Sequence, residues 1–283
     1  MCKIMKKTGL ILFFLFTIIA GAMANSGYNE KIYPRESFVF IKKIDVFFSC
    51  KKNYCRVVGK SLVTGSGSLV GHSEKYSYVL TAAHVIKTVS IPFHHHLRIR
   101  NEKRKGNEIK TMSRILLFDF GGKSHLLKQV VSYDKEHDLA LLKIRKIKFK
   151  ALKVAEREPK IGNKLYNIAA PHRMFAKGFV PFYNGHFLGY KKLKMKKGYY
   201  RWAATSIPTA RGASGSPILN SEGRIVGIIS SVHGRFHHIS LSPAYKHVKE
   251  FLKKSFAGEK AGMCLRKSNR KGPTSRPSKG YDH

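Results

Sequence analysis

Three short blocks constrain this chain more than anything else in it: Leu80-Thr-Ala-Ala-His84, His137-Asp138-Leu-Ala-Leu-Leu142 and Gly212-Ala-Ser-Gly-Ser-Pro217. Each supplies one member of a candidate Ser-His-Asp triad, His84, Asp138 and Ser214, at separations of 54 and 76 residues. A serine hydroxyl is a weak nucleophile at neutral pH. It needs an adjacent imidazole to take its proton and a buried carboxylate to hold that imidazole in the right tautomer. Unrelated folds assemble this chemistry in different chain orders, so the order His…Asp…Ser itself separates architectures. From Ile44 to about Ile147, and again to about Leu241, the chain reads as short apolar runs of strand length cut by Gly, Asn, Ser and Lys. Many short strands between turn signals favour a barrel or sandwich.

The blocks resemble those of trypsin-like serine proteases, in the bacterial branch of glutamyl endopeptidases and HtrA-type enzymes. The resemblance runs from about Gly65 to Phe251. It includes Gly65-Ser-Gly-Ser-Leu-Val70, Ile161-Gly-Asn-Lys-Leu-Tyr-Asn-Ile-Ala-Ala-Pro171 and Ser221-Glu-Gly-Arg-Ile-Val-Gly-Ile-Ile-Ser230. It implies an all-β fold of two antiparallel six-stranded barrels with a C-terminal helix, about 46–150 and 160–245, joined by Ala151 to Lys160. It also implies a serine endopeptidase in which the N–H groups of Gly212 and Ser214 form an oxyanion hole. Pro208, Thr209, Arg211 and Ser230-Ser231-Val232 would contact substrate, the last three through main-chain pairing with an extended peptide. Asp134 is a rival for the acid, but the apolar strand Leu139-Ala-Leu-Leu-Lys-Ile144 starts directly after Asp138.

Three positions depart from relatives in that family. Ala213 replaces the Asp that pairs with a freed N-terminus during activation in trypsin. Pro208 stands at the base of the specificity pocket, so a preference for Lys or Arg there has no support. Ile229 occupies the place of the His that glutamyl endopeptidases use on a substrate carboxylate; His233, His237 and His238 lie nearby. Arg211 could favour anionic substrates or sit as a solvated rim residue. The run His94-His95-His96 lacks a Cys or carboxylate at ligand spacing and reads as a solvated loop, so no metal is expected. No phosphate-cradling loop or cofactor fingerprint is present, so no cofactor is expected either.

Residues 1–24 combine Lys3, Lys6 and Lys7, a 12-residue apolar stretch from Gly9 to Ala20, and Ala22-Met23-Ala24. This is the pattern of a secretory signal peptide cleaved after Ala24, the rival being an uncleaved anchor. The mature chain would be secreted or periplasmic, with 25–45 as a lead-in. Cys50 and Cys55 flank Lys51-Lys-Asn-Tyr54 between apolar runs, which suits a bridged hairpin in an oxidising compartment. Cys264 would be left over in a polar tail and could pair between molecules, although a monomer is expected.

Ser242 as N-cap and Pro243 at the first helical position, followed by Ala244, Val248, Phe251 and Leu252, predict a helix over about 243–256. Residues 258–283 read as a basic disordered tail. The mature chain would carry 51 Lys and Arg against 16 Asp and Glu, a net +35. Residues 61–90 and 201–230 hold only five of those cations, Lys75, Lys87, Arg201, Arg211 and Arg224. Such a surface attracts anionic polymers or membrane surfaces, or it reflects a basic bias that only aids solubility. No recognisable nucleic-acid module is present, which argues against sequence-specific binding.

Overall fold

The computed structural model describes residues 31–51, 54–87, 98–104, 107–195, 198–233 and 236–268. The expected signal peptide, the His94-His95-His96 run and residues 269–283 lie outside them, as do the side chains of His233, His237 and Cys264. The chain divides into two units, Met1–Tyr33 and Pro34–His283. Residues 31–33 of the first lie in a turn and bend. The second carries the strands.

Its first sheet comprises β1 (Phe38–Lys51), β2 (Tyr54–His72), β3 (Tyr76–Ala82), β4 (Arg98–Arg104), β5 (Asn107–Asp119), β6 (Ser124–Leu126), β7 (Gln129–Asp134) and β8 (Leu139–Arg145). All neighbours are antiparallel, in the order β4-β5-β1-β2-β3-β8-β7, with β6 also on β5. β6 and β7 are one wall of the barrel. Only Leu127 and Lys128 separate them, and these bond to opposite neighbours: Leu127 N–H to Ile115 O at 3.5 Å, Lys128 N–H to Lys143 O at 2.8 Å. The ring therefore closes with six walls, and β4 is attached outside it.

The second sheet comprises β9 (Lys164–Ile168), β10 (Phe182–Met195), β11 (Gly198–Thr205), β12 (Pro217–Leu219), β13 (Ile225–Ile228), β14 (Ser231–His233) and β15 (Phe236–Pro243), ordered β13-β12-β9-β10-β11-β15-β14. Here β13 pairs with β12 while its continuation β14 pairs with β15, with Ser230 N–H bonded to Leu241 O at 2.9 Å between them. Again seven segments make six walls. The fold is two antiparallel barrels of the chymotrypsin-like kind.

β1 starts at Phe38, inside the stretch read as lead-in, because Phe38-Val-Phe-Ile41 is itself a buried apolar run. β8 is buried on both faces from Leu139 to Ile144, in keeping with its apolar run Leu139–Leu142, and it carries Lys143 buried within it. Leu165, Phe187, Ile207, Ile218, Val226 and Ile229 form the core of the second barrel. The Cys50–Cys55 disulfide closes the β1–β2 hairpin, with Cα atoms 4.1 Å apart.

The helix, α1, spans Tyr245–Ser268. Ser242 does not cap it. Ser242 and Pro243 still pair with β11, opposite Ala203 and Trp202, and Ser242 Oγ accepts the Ile228 N–H at 3.1 Å instead. The helix also continues past Gly258, where a disordered tail was expected. Phe256 meets the Tyr78 ring edge-on at 5.3 Å, and Glu259 pairs with the buried Lys143, so the added turns have partners on the first barrel. At its other end Tyr245 belongs to the second barrel's core and donates to Ala155 O at 2.6 Å. The helix is thus a clamp across both barrels. No helix among the described residues is long and apolar enough to cross a membrane.

Candidate active site

His84 sits in a single 3₁₀ turn, Ala83–Ile86, at the end of β3. Asp138 immediately precedes β8, the strand paired with β3 on its other edge. The pairing of Ala82 with Leu139 brings the two residues together: Ala83 N–H bonds to Asp138 O at 3.0 Å. The Asp138 carboxylate then takes two bonds from His84, the backbone N–H on Oδ1 at 2.8 Å and ring Nδ1 on Oδ2 at 2.7 Å. A third comes across the barrel interface, from Ser230 Oγ to Oδ2. Asp138 itself has φ of 55°, in the left-handed region, where Asp is among the few tolerated non-glycine residues. Its rival Asp134 is engaged elsewhere, accepting His137 Nδ1 at 2.7 Å and capping the N–H groups of Glu136 and His137.

Ser214 reaches this cleft through β2. Ser66 N–H donates to Ser214 O at 2.8 Å, Ser66 O accepts Thr81 Oγ1 at 2.7 Å, and Thr81 lies three residues before His84. Gly215, with φ of +87°, packs so closely that a Cβ there would lie 2.2 Å from Ser66 O and 2.8 Å from Ala82 N.

The peptide between Arg211 and Gly212 is fixed on its carbonyl side, since Arg211 O accepts His172 N–H at 2.6 Å. In a trans peptide the N–H points opposite to the carbonyl, so the Gly212 N–H is turned away from His172. Gly212 O is tied in turn to Ser66 Oγ at 2.7 Å. Among the described residues, neither Gly212 N–H nor Ser214 N–H has an acceptor within the protein. Both N–H groups are therefore free to donate to a bound group.

Of the remaining expected residues, Ser231 and Val232 lie on β14, which among the described residues pairs with β15 alone. Pro208 and Arg211 are exposed. Thr209 Oγ1 is buried without a hydrogen-bond partner among the described residues. His238 is exposed on β15. No group of three or more metal-ligating side chains occurs among the described residues.

Two contributions escape a reading of the sequence. Ser66 was visible only as part of a glycine-rich strand, yet it holds both Gly212 and Ser214 in place. Ser230 was read for its backbone, whereas its side chain also reaches Asp138. Both partners lie in the opposite barrel, 146 and 92 residues away, a distance no local pattern encodes.

The two barrels, with a linked His-Asp pair and a serine on a tight glycine loop between them, define a class of hydrolase fold found in many solved proteases. Two structures of the Rv3671c protease of M. tuberculosis H37Rv are similar in fold. The active form has a TM-score of 0.54 and 17% identity, over 80% of this chain and 86% of that one. An inactive mutant form gives 0.54 and 16%, over 81% and 94%. The serine endoprotease from Yersinia pestis gives 0.52 and 17%, over 80% of this chain and 64% of that one, so this chain spans less than two thirds of it. A search of curated protein sequences gives no match. Residues 65–228 match the trypsin-like peptidase domain family, and the chain belongs to that family. It is a serine-type endopeptidase by class.

Proposed function

We propose that this chain is an exported endopeptidase that hydrolyses peptide bonds through Ser214, His84 and Asp138. The observation that carries this reading is the two-point grip of Asp138 on His84 beside the Ser214 loop. With Nδ1–H held by the carboxylate, the Nε2 lone pair is left as the base. Ser214 Oγ attacks the carbonyl carbon and its proton passes to His84 Nε2. The resulting oxyanion is held by the N–H groups of Gly212 and Ser214. The C–N bond then breaks as His84 gives its proton to the leaving amine, leaving an acyl ester on Ser214. Water attacks that ester, His84 takes the water's proton, and the proton returns to Ser214 Oγ as the acid product departs.

Substrate would lie as an added strand along Ser230-Ser231-Val232, with its side chain between Pro208, Thr209 and Arg211. The exposed Arg211 favours an anionic neighbour. Export rests on the features of residues 1–24 and on the Cys50–Cys55 bridge, which persists in oxidising compartments. The test is covalent. An organofluorophosphate should label Ser214 in folded protein, and Ser214→Ala should lower turnover by about 10⁶-fold, as for a subtilisin triad serine. A folded sample that resists labelling overturns the proposal.

A second reading has one observation in its favour, the net +35 of the mature chain. A cationic surface of this size suits a barrel that binds polyanions or an anionic membrane face, with hydrolysis weak or secondary.

A further inference from the structure

β2 changes character along its length. At Gly67 and Ser68 it pairs on both sides, with β1 and β3, and from Leu69 to His72 it continues on β3. From Tyr54 to Thr64 it pairs with β1 alone among the described residues, which leaves an edge of roughly 35 Å at about 3.3 Å per residue. Proteins normally shorten, cover or blunt such edges, because unpaired N–H and C=O groups template another strand. Here the edge is open, with Tyr54 71% exposed, Val57 52%, Val58 49% and Leu62 41%. Val58 forms a bulge opposite Phe47 and Phe48, so the longest regular stretch is Gly59–Thr64, the part nearest the site. Gly65 follows, against Ser214 O.

The chemistry of the edge selects its occupant. Its charged side chains, Arg56 and Lys60, are both cationic and exposed, and β2 contains no Asp or Glu. A second copy pairing antiparallel about Val58 would set Arg56 against Lys60 twice, and like charges directly opposite are destabilising. A polyanion without amides would leave the backbone row and the apolar side chains unused. An extended acidic polypeptide satisfies all three features. We propose that the β2 edge, Tyr54–Thr64, docks an acidic extended segment of the protein substrate as an added strand, holding it while a neighbouring bond enters the cleft. The identification of the occupant as substrate rests on the catalytic reading above.

The test separates docking from catalysis. In the Ser214→Ala full chain, fluorescence anisotropy follows a labelled 12-residue peptide of alternating glutamate and valine. Arg56→Glu with Lys60→Glu should weaken its binding at least about 10-fold, as should N-methylation of alternate peptide amides. The same charge change at the exposed Lys146 and Lys148 should leave binding intact, which controls for bulk charge. In the parent enzyme, fusing that peptide to a cleavable sequence should lower KM about 10-fold at constant kcat, and the Arg56/Lys60 variant should abolish the gain. Equal binding by the N-methylated peptide, equal losses at Lys146 and Lys148, or an unchanged KM overturns the docking role. A failure of catalysis shows up separately, as absent fluorophosphate labelling of the parent while peptide binding persists.

Discussion

Gly212 and Gly215 flank Ser214 in left-handed backbone conformations, with φ of +101° and +87°. At Gly212 a Cβ would lie 2.6 Å from Ala170 O, a backbone atom that cannot swing aside. Gly212→Ala should therefore displace the peptide whose N–H is proposed to hold the oxyanion. The expected result is a loss of about 10²–10³-fold in kcat, the usual cost of one such donor, with a smaller change in KM. Steady-state kinetics on a peptide substrate checks it, and unaltered kcat would exclude this N–H from the oxyanion hole. The need for glycine here was readable from Gly212-Ala-Ser-Gly215 alone. What the loop is anchored to was not. The bond from Ser66 Oγ to Gly212 O, and the neighbouring left-handed conformation of His172 (φ 49°), depend on chain segments that meet only in the fold.

The same division appears in the elements. Alternating and continuous apolar runs marked most strands, and the strand after Asp138 begins where the sequence indicated. Helix α1 was placed by its apolar face but misread at both ends. Its start was misjudged because Ser242-Pro243 satisfies a capping pattern and a strand pattern equally, and the pairing with β11 decides between them. Its end was misjudged because Glu259 stabilises those turns through Lys143 and Tyr78, both on the other barrel. The helix also carries His247, stacked on His137 at 3.9 Å. Burial, and secondarily His137, hold the His247 imidazole below its ordinary value. Facing it are Asp134 at the end of β7 and His137 from the turn before β8, with Glu250 and Lys246 on its own helix. The unfolded chain thus takes up this proton at higher pH than the folded one. The associated stability is complete above about pH 6.5 and is lost as pH falls toward the depressed value. The melting temperature should decline between about pH 7 and pH 5, and His247→Phe, which keeps the stack but not the proton, should flatten that decline. An identical pH profile in the variant would remove His247 as the cause.

On the scale of the whole molecule, the question is why so basic a chain keeps its charge. The acidic residues are few, and several of them pair with other groups inside the fold. Asp45 is buried with Lys43 and Ser113, Asp119 with His125; Asp134 holds His137, Asp138 holds His84, and Glu259 holds Lys143. These carboxylates position β-strands, the His84 imidazole and the helix, so little of their charge is left to offset Lys and Arg at the surface. The excess lies outside the segments that carry His84 and Ser214, along runs such as Lys146 to Lys150 and Lys191 to Lys194. A field of this origin acts on any polyanion, in proportion to the counterions released on contact. The chain from Asn25 to His283 should stay on a heparin column beyond about 0.5 M salt, and its affinity should fall steeply and linearly in log-log form as salt rises. Elution at low salt would mean that the surface cations are spread too thinly to act together. Retention with full peptidase activity would instead make the two roles compatible, because the charge that binds the polymer is not the charge that builds the site.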